Sequence, residues 1–249
     1  MKKFLKLFLI FLLTLSAVRL ARASVEDLFM KANEAYRTGD YQKAIERYTE
    51  VVKEEPQAAV YYNMGNAAFK LNRIGQAILN YERARRLSPR DQDTIQNLKY
   101  VKTLVEYRAE DKRPLYQRAV SRMAGYVSLK ESGMMVVLLY FALVSLVLIH
   151  FLTRGRFGLG RVGVLVLMFF AAATFVASFK FYEKRFQKKA VVTASKMDVR
   201  FGPSSEDRLA FSLGEGIEVR IDDELNGWYR VNLVSGESGC VQKNGVEAV

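Results

Sequence analysis

Two long runs without a single charged residue, Met134–Leu152 and Val162–Phe179, constrain this chain more than any other feature. As helices they would extend about 28 Å and about 27 Å at roughly 1.5 Å per residue, close to the ~30 Å hydrocarbon layer of a bilayer. Neither shows the polar stripe of a helix packed on a soluble core. They are predicted to be transmembrane helices, 134–152 and 162–179, joined as a hairpin. The intervening loop, 153–161, is short, glycine-rich and basic. Its Gly158-Leu159-Gly160-Arg161-Val162-Gly163 matches G-x-G-x-x-G, but a dinucleotide site needs a strand before that motif and a βαβ unit around it. These glycines read as turn and helix-packing residues. Two crossings place residues 24–133 and 180–249 on the same side.

The charges follow the apolar runs. The net charge is +12, and residues 1–23 and 113–189 hold an excess of +5 and +10, against +1 for 24–112 and −4 for 190–249. A nucleic-acid-binding domain would instead gather its cations on a folded face, so no nucleic-acid partner is expected. Residues 1–23 read as a signal peptide, with Lys2, Lys3 and Lys6 before an apolar stretch and Ala21-Arg22-Ala23 before Ser24. This signal sets the expected orientation, with loop 153–161 cytoplasmic and both flanking regions outside, although nine cations flank the hairpin and only three sit in its loop. Residues 113–131 repeat apolar positions at Leu115, Ala119, Met123 and Val127, and are predicted to form a basic amphipathic segment that either lies on lipid or packs on the soluble domain.

One cysteine, Cys240, and one histidine, His150, exclude an intrachain disulfide and a multi-cysteine zinc site. A nucleophile–histidine pair would have to use His150, which ends an apolar run. The chain is read as a non-enzyme, without a cofactor and without a metal site.

Self-alignment at a shift of 33 residues pairs Asn33 with Asn66, Ala44 with Ala77, Ile45 with Ile78, Tyr48 with Tyr81 and Pro56 with Pro89. This spacing predicts two helix–turn–helix repeats, 25–57 and 58–91, within a region 24–110. Small residues let the paired helices approach, the tyrosines fill between them, and each proline stops a second helix. After Asp91, Ile95, Leu98, Val101, Leu104 and Val105 predict one capping helix over 92–110. Tyr61, Met64, Gly65, Phe69, Ala77, Tyr81, Ala84 and Pro89 resemble the tetratricopeptide repeat family. The resemblance implies an all-α array whose first helices line a concave, protein-binding groove. Asn33, Tyr36, Arg37, Tyr62, Asn66, Phe69 and Lys70 are the expected protein-binding residues. Places that hold lysines in carboxylate-clamp members hold Phe29, Asp93 and Asn97 here, which argues against that mode.

From Ala190 onward the pattern becomes short and alternating. Ile217, Val219 and Ile221, then Tyr229, Val231 and Leu233, recur every second residue, with turns at Gly202-Pro203, Asn226-Gly227 and Gly236. Five or six strands in 190–249 predict a small all-β barrel. Val199-Arg200-Phe201-Gly202-Pro203-Ser204, Asn226-Gly227-Trp228-Tyr229-Arg230-Val231 and Ser238-Gly239-Cys240-Val241 resemble the bacterial SH3-like family. The resemblance implies a core position for Trp228 and possible binding of cell-wall peptides, weakened by Cys240 where an aromatic is usual. Cys240 reads as a small buried apolar residue.

The fold class is thus multidomain: an all-α tetratricopeptide helical repeat, a two-helix transmembrane hairpin and a small all-β SH3-like barrel. That order resembles the BatE-type proteins of bacterial aerotolerance operons. The resemblance implies a bacterial cytoplasmic-membrane protein with both soluble domains on the periplasmic side, acting as a scaffold for Bat-type partners with von Willebrand A-type domains. Two other readings stay open, a peptidoglycan-binding tether and an accessory subunit of an envelope enzyme.

Overall fold

The computed structural model describes residues 25–105, 114–115, 118–119, 125–153, 160–186 and 188–249. The expected signal peptide 1–23, residues 113, 116–117 and 120–124 of the amphipathic segment and loop residues 154–159 lie outside the described residues.

Five helices form the array: α1 over 25–37, α2 (Tyr41–Glu54), α3 (Ala58–Lys70), α4 (Ile74–Leu87) and α5 (Gln92–Lys102). The turns have local causes. Gly39 and Asn72 stand one repeat apart with φ of 83° and 59°, the left-handed region that glycine and asparagine tolerate best. Asp40 caps α2 by accepting from the Lys43 amide at 3.1 Å, and Asp91 caps α5 by accepting from Thr94. Close approach accounts for the small residues. A Cβ added at Gly65 would lie 2.7 Å from the Tyr81 ring, while Ala32, Ala44 and Ala77 are fully enclosed. The capping helix is shorter than the expected 92–110. It ends at Lys102, and Val105 beyond it packs against both the array's apolar cluster and that of the next domain. Periodicity alone continues through Val105; the helix does not.

Two apolar helices follow, α6 (Leu129–Leu152) and α7 (Gly160–Phe186). They pack on each other, and stretches of 24 and 23 residues in them are long and apolar enough to cross a membrane. Their outward side chains have no protein over them, with Phe151 79% exposed among the described residues. Ser128 and Glu131 form a capping box at the start of α6, and Arg90 in the α4–α5 turn pairs with Glu131. Gly160 and Gly163 are helical, and the described residues that precede them in the chain, up to Thr153, belong to α6 and the turn that ends it.

One residue after α7 begins a seven-stranded antiparallel sheet, of order β3-β2-β6-β5-β4-β1-β7. Its strands are β1 (Lys188–Val192), β2 (Lys196–Arg200), β3 (Leu209–Gly214), β4 (Glu218–Leu225), β5 (Trp228–Asn232), β6 (Ser238–Gln242) and β7 (Val246–Ala248). Five or six strands were expected; the three-residue β7 is too short to alternate visibly. Val192, Val199, Val219, Val231 and Val241 belong to one buried cluster. Cys240 is 2% exposed and unbonded to another cysteine.

The array and the β-domain share a core. Val191 of β1 lies in the same apolar cluster as Ala77, Ile78, Leu79, Tyr81, Leu98 and Val101. Around it, the Gly75 amide donates to Glu215 at 2.8 Å, and Arg83 donates to the Ala248 carbonyl at 2.7 Å. A Cβ at Gly216 would meet Val105 and Ile78. Helix α5 thus stands where a third repeat would place its first helix, and β1 packs on α4 beside it.

Candidate functional site: the concave groove of the array

The groove is built on a hydrogen-bonded group of one tyrosine and two asparagines that occurs twice along the array. In the first, the Tyr48 hydroxyl donates to Asn33 Oδ1 at 2.6 Å and Asn63 Nδ2 donates to the same oxygen at 3.2 Å. In the second, the Tyr81 hydroxyl donates to Asn66 Oδ1 at 2.6 Å and Asn97 Nδ2 donates to it at 3.2 Å. Asn97 Nδ2 also donates to the Tyr62 hydroxyl at 3.1 Å. Corresponding members are 33 or 34 residues apart, so the repeat places the same chemistry twice.

This bonding fixes what each group can still offer. A carboxamide oxygen has two lone pairs, and those of Asn33 and Asn66 are both taken. Their Nδ2 donors have no acceptor among the described residues, nor do the Oδ1 atoms of Asn63 and Asn97 have a donor. Each group therefore leaves a carboxamide nitrogen, that of Asn33 or Asn66, and a carboxamide oxygen, that of Asn63 or Asn97, free to bond. That is the complement of a peptide unit's C=O and N–H. Burial pushes the Tyr48 hydroxyl up to about 12 and moves Tyr81 upward for the same reason, so both stay protonated and keep donating.

Tyr36, Asn66, Phe69 and Lys70, four of the expected residues, line a cavity of about 270 Å³ with Asn97 and Tyr100. Tyr62 stands behind it through Asn97. Asn33 belongs to the first group, outside the cavity, and Arg37 is exposed and outside it too. Phe69 and Tyr100 meet edge-on with centroids 5.9 Å apart, which leaves apolar ring faces on the groove. Asn63, Asn97 and Tyr100 were not singled out as binding residues. The signal for the first two was the 34-residue spacing of Asn63 and Asn97, hidden because the alignment used a shift of 33.

Residues 29–92 match the profile of the tetratricopeptide repeat. They are tetratricopeptide repeats. A stretch of 69 residues is 39% identical to Small glutamine-rich tetratricopeptide repeat-containing protein 2 of Saccharomyces cerevisiae, covering 27% of this chain and 20% of that protein. Over 59 residues the chain is 39% identical to Sperm-associated antigen 1 of Rattus norvegicus, covering 24% of this chain and 7% of that protein. The same protein of Mus musculus is 39% identical over 59 residues, 6% of its length. The chain thus matches a fifth or less of the length of these curated relatives. Repeats of this kind serve as scaffolds for protein–protein contact.

The β-domain carries a second concavity, of about 530 Å³, lined by Lys196, Met197, Asp198, Arg200, Trp228 and Asn244 among others. Trp228 was expected in the core. It is buried there, 9% exposed, at the margin of the main apolar cluster, and its indole N–H has no acceptor among the described residues. It starts β5 immediately after the Asn226-Gly227 turn, whose φ values are 43° and 87°, and so sits at the sheet's rim.

Proposed function

We propose that the array's groove holds an extended segment of a partner protein. The observation that carries this is the pair of free donor–acceptor sets, Asn33 with Asn63 and Asn66 with Asn97, repeated at the pitch of the array. Peptide groups of one strand would bond to them regardless of sequence, as in backbone-directed recognition generally. Tyr36, Phe69 and Tyr100 would add apolar contact. Arg37 and Lys70, both exposed, favour acidic residues flanking the bound strand. The double charge reversal Arg37→Glu with Lys70→Glu touches neither hydrogen-bonded group. It should lower partner recovery in a pull-down by roughly tenfold or more, with unchanged circular dichroism. Equal recovery would refute the groove as the binding face.

In this reading α6 and α7 cross the bacterial cytoplasmic membrane, and both soluble modules face the periplasm. The length, apolarity and bare surface of the two helices support it, as does the shared core that keeps array and β-domain together. Reporter fusions after Tyr100 and after Val249 should report one compartment, the outer one. The domain order supports a scaffold within a Bat-type complex, and co-purification with a von Willebrand A-type partner tests that.

A second reading, binding of cell-wall peptides by an SH3-like β-domain, is favoured by the cavity at Trp228 and its unpartnered indole. Pelleting of the purified full chain with peptidoglycan, lost in Trp228→Ala, would support it.

A further inference from the structure

The contact between array and β-domain contains a charged cluster that neither proposed binding role uses. Glu82 of α4 is 4% exposed, and it is served from two sides. Lys102 of α5 donates to its Oε1 at 2.6 Å, and Arg85 donates to its Oε2 at 3.0 and 2.6 Å. Lys102 also donates to Glu218 of β4 at 2.8 Å. Two carboxylates, one from each domain, therefore share one ammonium, and each alters the other's hold on a proton. A hydrogen bond between two carboxyl groups requires one proton between them.

The two acids are not equivalent. Lys102 and Arg85 hold Glu82 far below the usual carboxylate range despite its burial. Among the described residues the cation paired with Glu218 is the shared Lys102, and partial burial followed by the charge of Glu82 raises it. Lys102 is itself raised by the two acids against the effect of its burial, and stays charged. Other charged groups around the contact are engaged elsewhere. Arg83 pairs with Glu247 at 3.6 Å, Arg86 donates to the Val249 carbonyl, Glu215 accepts from the Gly75 amide, and Arg220 pairs with Asp222 at 2.9 Å.

We propose that Glu218 is an acid-strengthened latch: on mild acidification its carboxyl takes one proton from solvent, donates it to Glu82, and tightens the β-domain on repeat two. A group whose folded-state proton affinity is raised stabilises the fold increasingly as pH falls through its own range. The opposite loss, protonation of Glu82, comes only further down because Glu82 is depressed. A window of mild acid is left in which the contact is strongest.

The test uses the full chain in detergent micelles with carbon-13-labelled glutamate carboxyls. One carboxyl should titrate above the others, and its signal should vanish in Glu218→Gln. The thermal midpoint of Glu218→Gln should exceed that of the wild type at about pH 8, where the amide supplies the donor that the carboxylate lacks. That gap should close towards about pH 5. Lys102→Met, which leaves the two carboxylates facing each other, should show a steeper rise in midpoint on acidification than the wild type. A gap that is constant across this range, or a Glu218 signal titrating with the bulk of the glutamates, would overturn the latch.

Discussion

The second helices of the two repeats, α2 and α4, share Ala44/Ala77, Ile45/Ile78 and Tyr48/Tyr81, and therefore pack on their first helices alike. On their other face they part. Helix α2 presents Gln42, Glu46, Glu50 and Lys53 to solvent, whereas α4 has Gly75, Leu79, Arg83 and Arg86 at those places. In α2 only Ala44, Tyr48 and Val51 are buried. In α4 Gly75, Leu79, Asn80 and Glu82 are buried as well, because β1 and β4 lie over them. One motif thus supports two environments. The repeat positions build the groove, and the positions between them decide whether the back of the helix meets water or a neighbour. An array of two repeats is short for independent stability, for which about three are wanted, and the β-domain supplies the missing surface.

Exchanging residues between the two helices tests this contrast most severely. Leu79→Glu gives α4 the residue that α2 carries, and would bury a carboxylate in the shared core beside Val191. A loss of about 3–5 kcal/mol is expected, with separation of array from β-domain visible as new protease sensitivity near residue 105. The reciprocal Glu46→Leu should stay within about 0.5 kcal/mol in thermal unfolding. Equal effects would mean that the back of α4 is not an interface. A smaller effect is expected at the inner face. Gly65→Ala would press a methyl on the Tyr81 ring and cost about 1–3 kcal/mol by denaturation, while Ala32→Gly at the matching place of repeat one should cost about 1 kcal/mol through helix propensity. The smallest difference concerns the hydroxyls. Tyr48→Phe and Tyr81→Phe should each cost about 1–2 kcal/mol and loosen partner binding alike, since both repeats hold their asparagine the same way. Loss of binding in one variant alone would show that a single repeat engages the partner.

The sequence made the array legible where spacing carries the information. Ala44, Tyr48, Pro56 and their counterparts recur because close packing of paired helices demands those volumes at those places. The apolar runs and the alternation of Val219, Ile221, Val231 and Leu233 were legible for the same reason. Three features were not. Asn33 and Asn66 read as free groove asparagines, but spacing does not reveal that tyrosines one helix away occupy their oxygens. Trp228 read as core and is buried, but spacing does not reveal that a residue opening a strand after a tight turn also lines a concavity. The burial of α4's back was encoded in Leu79, Gly75 and Glu82 standing where repeat one has Glu46, Gln42 and Thr49. Those departures from the repeat were the signal, and an alignment that scores agreement passes over them.

The central claim is that the groove, and not the back of the helices, receives a partner strand. A photo-crosslinking residue placed at Tyr100, on the groove, and separately at Glu46, on the solvent-facing back of α2, tests it in intact cells. The account predicts a discrete protein adduct from position 100 and none from position 46. Adducts from 46 alone, or from both positions equally, would contradict it.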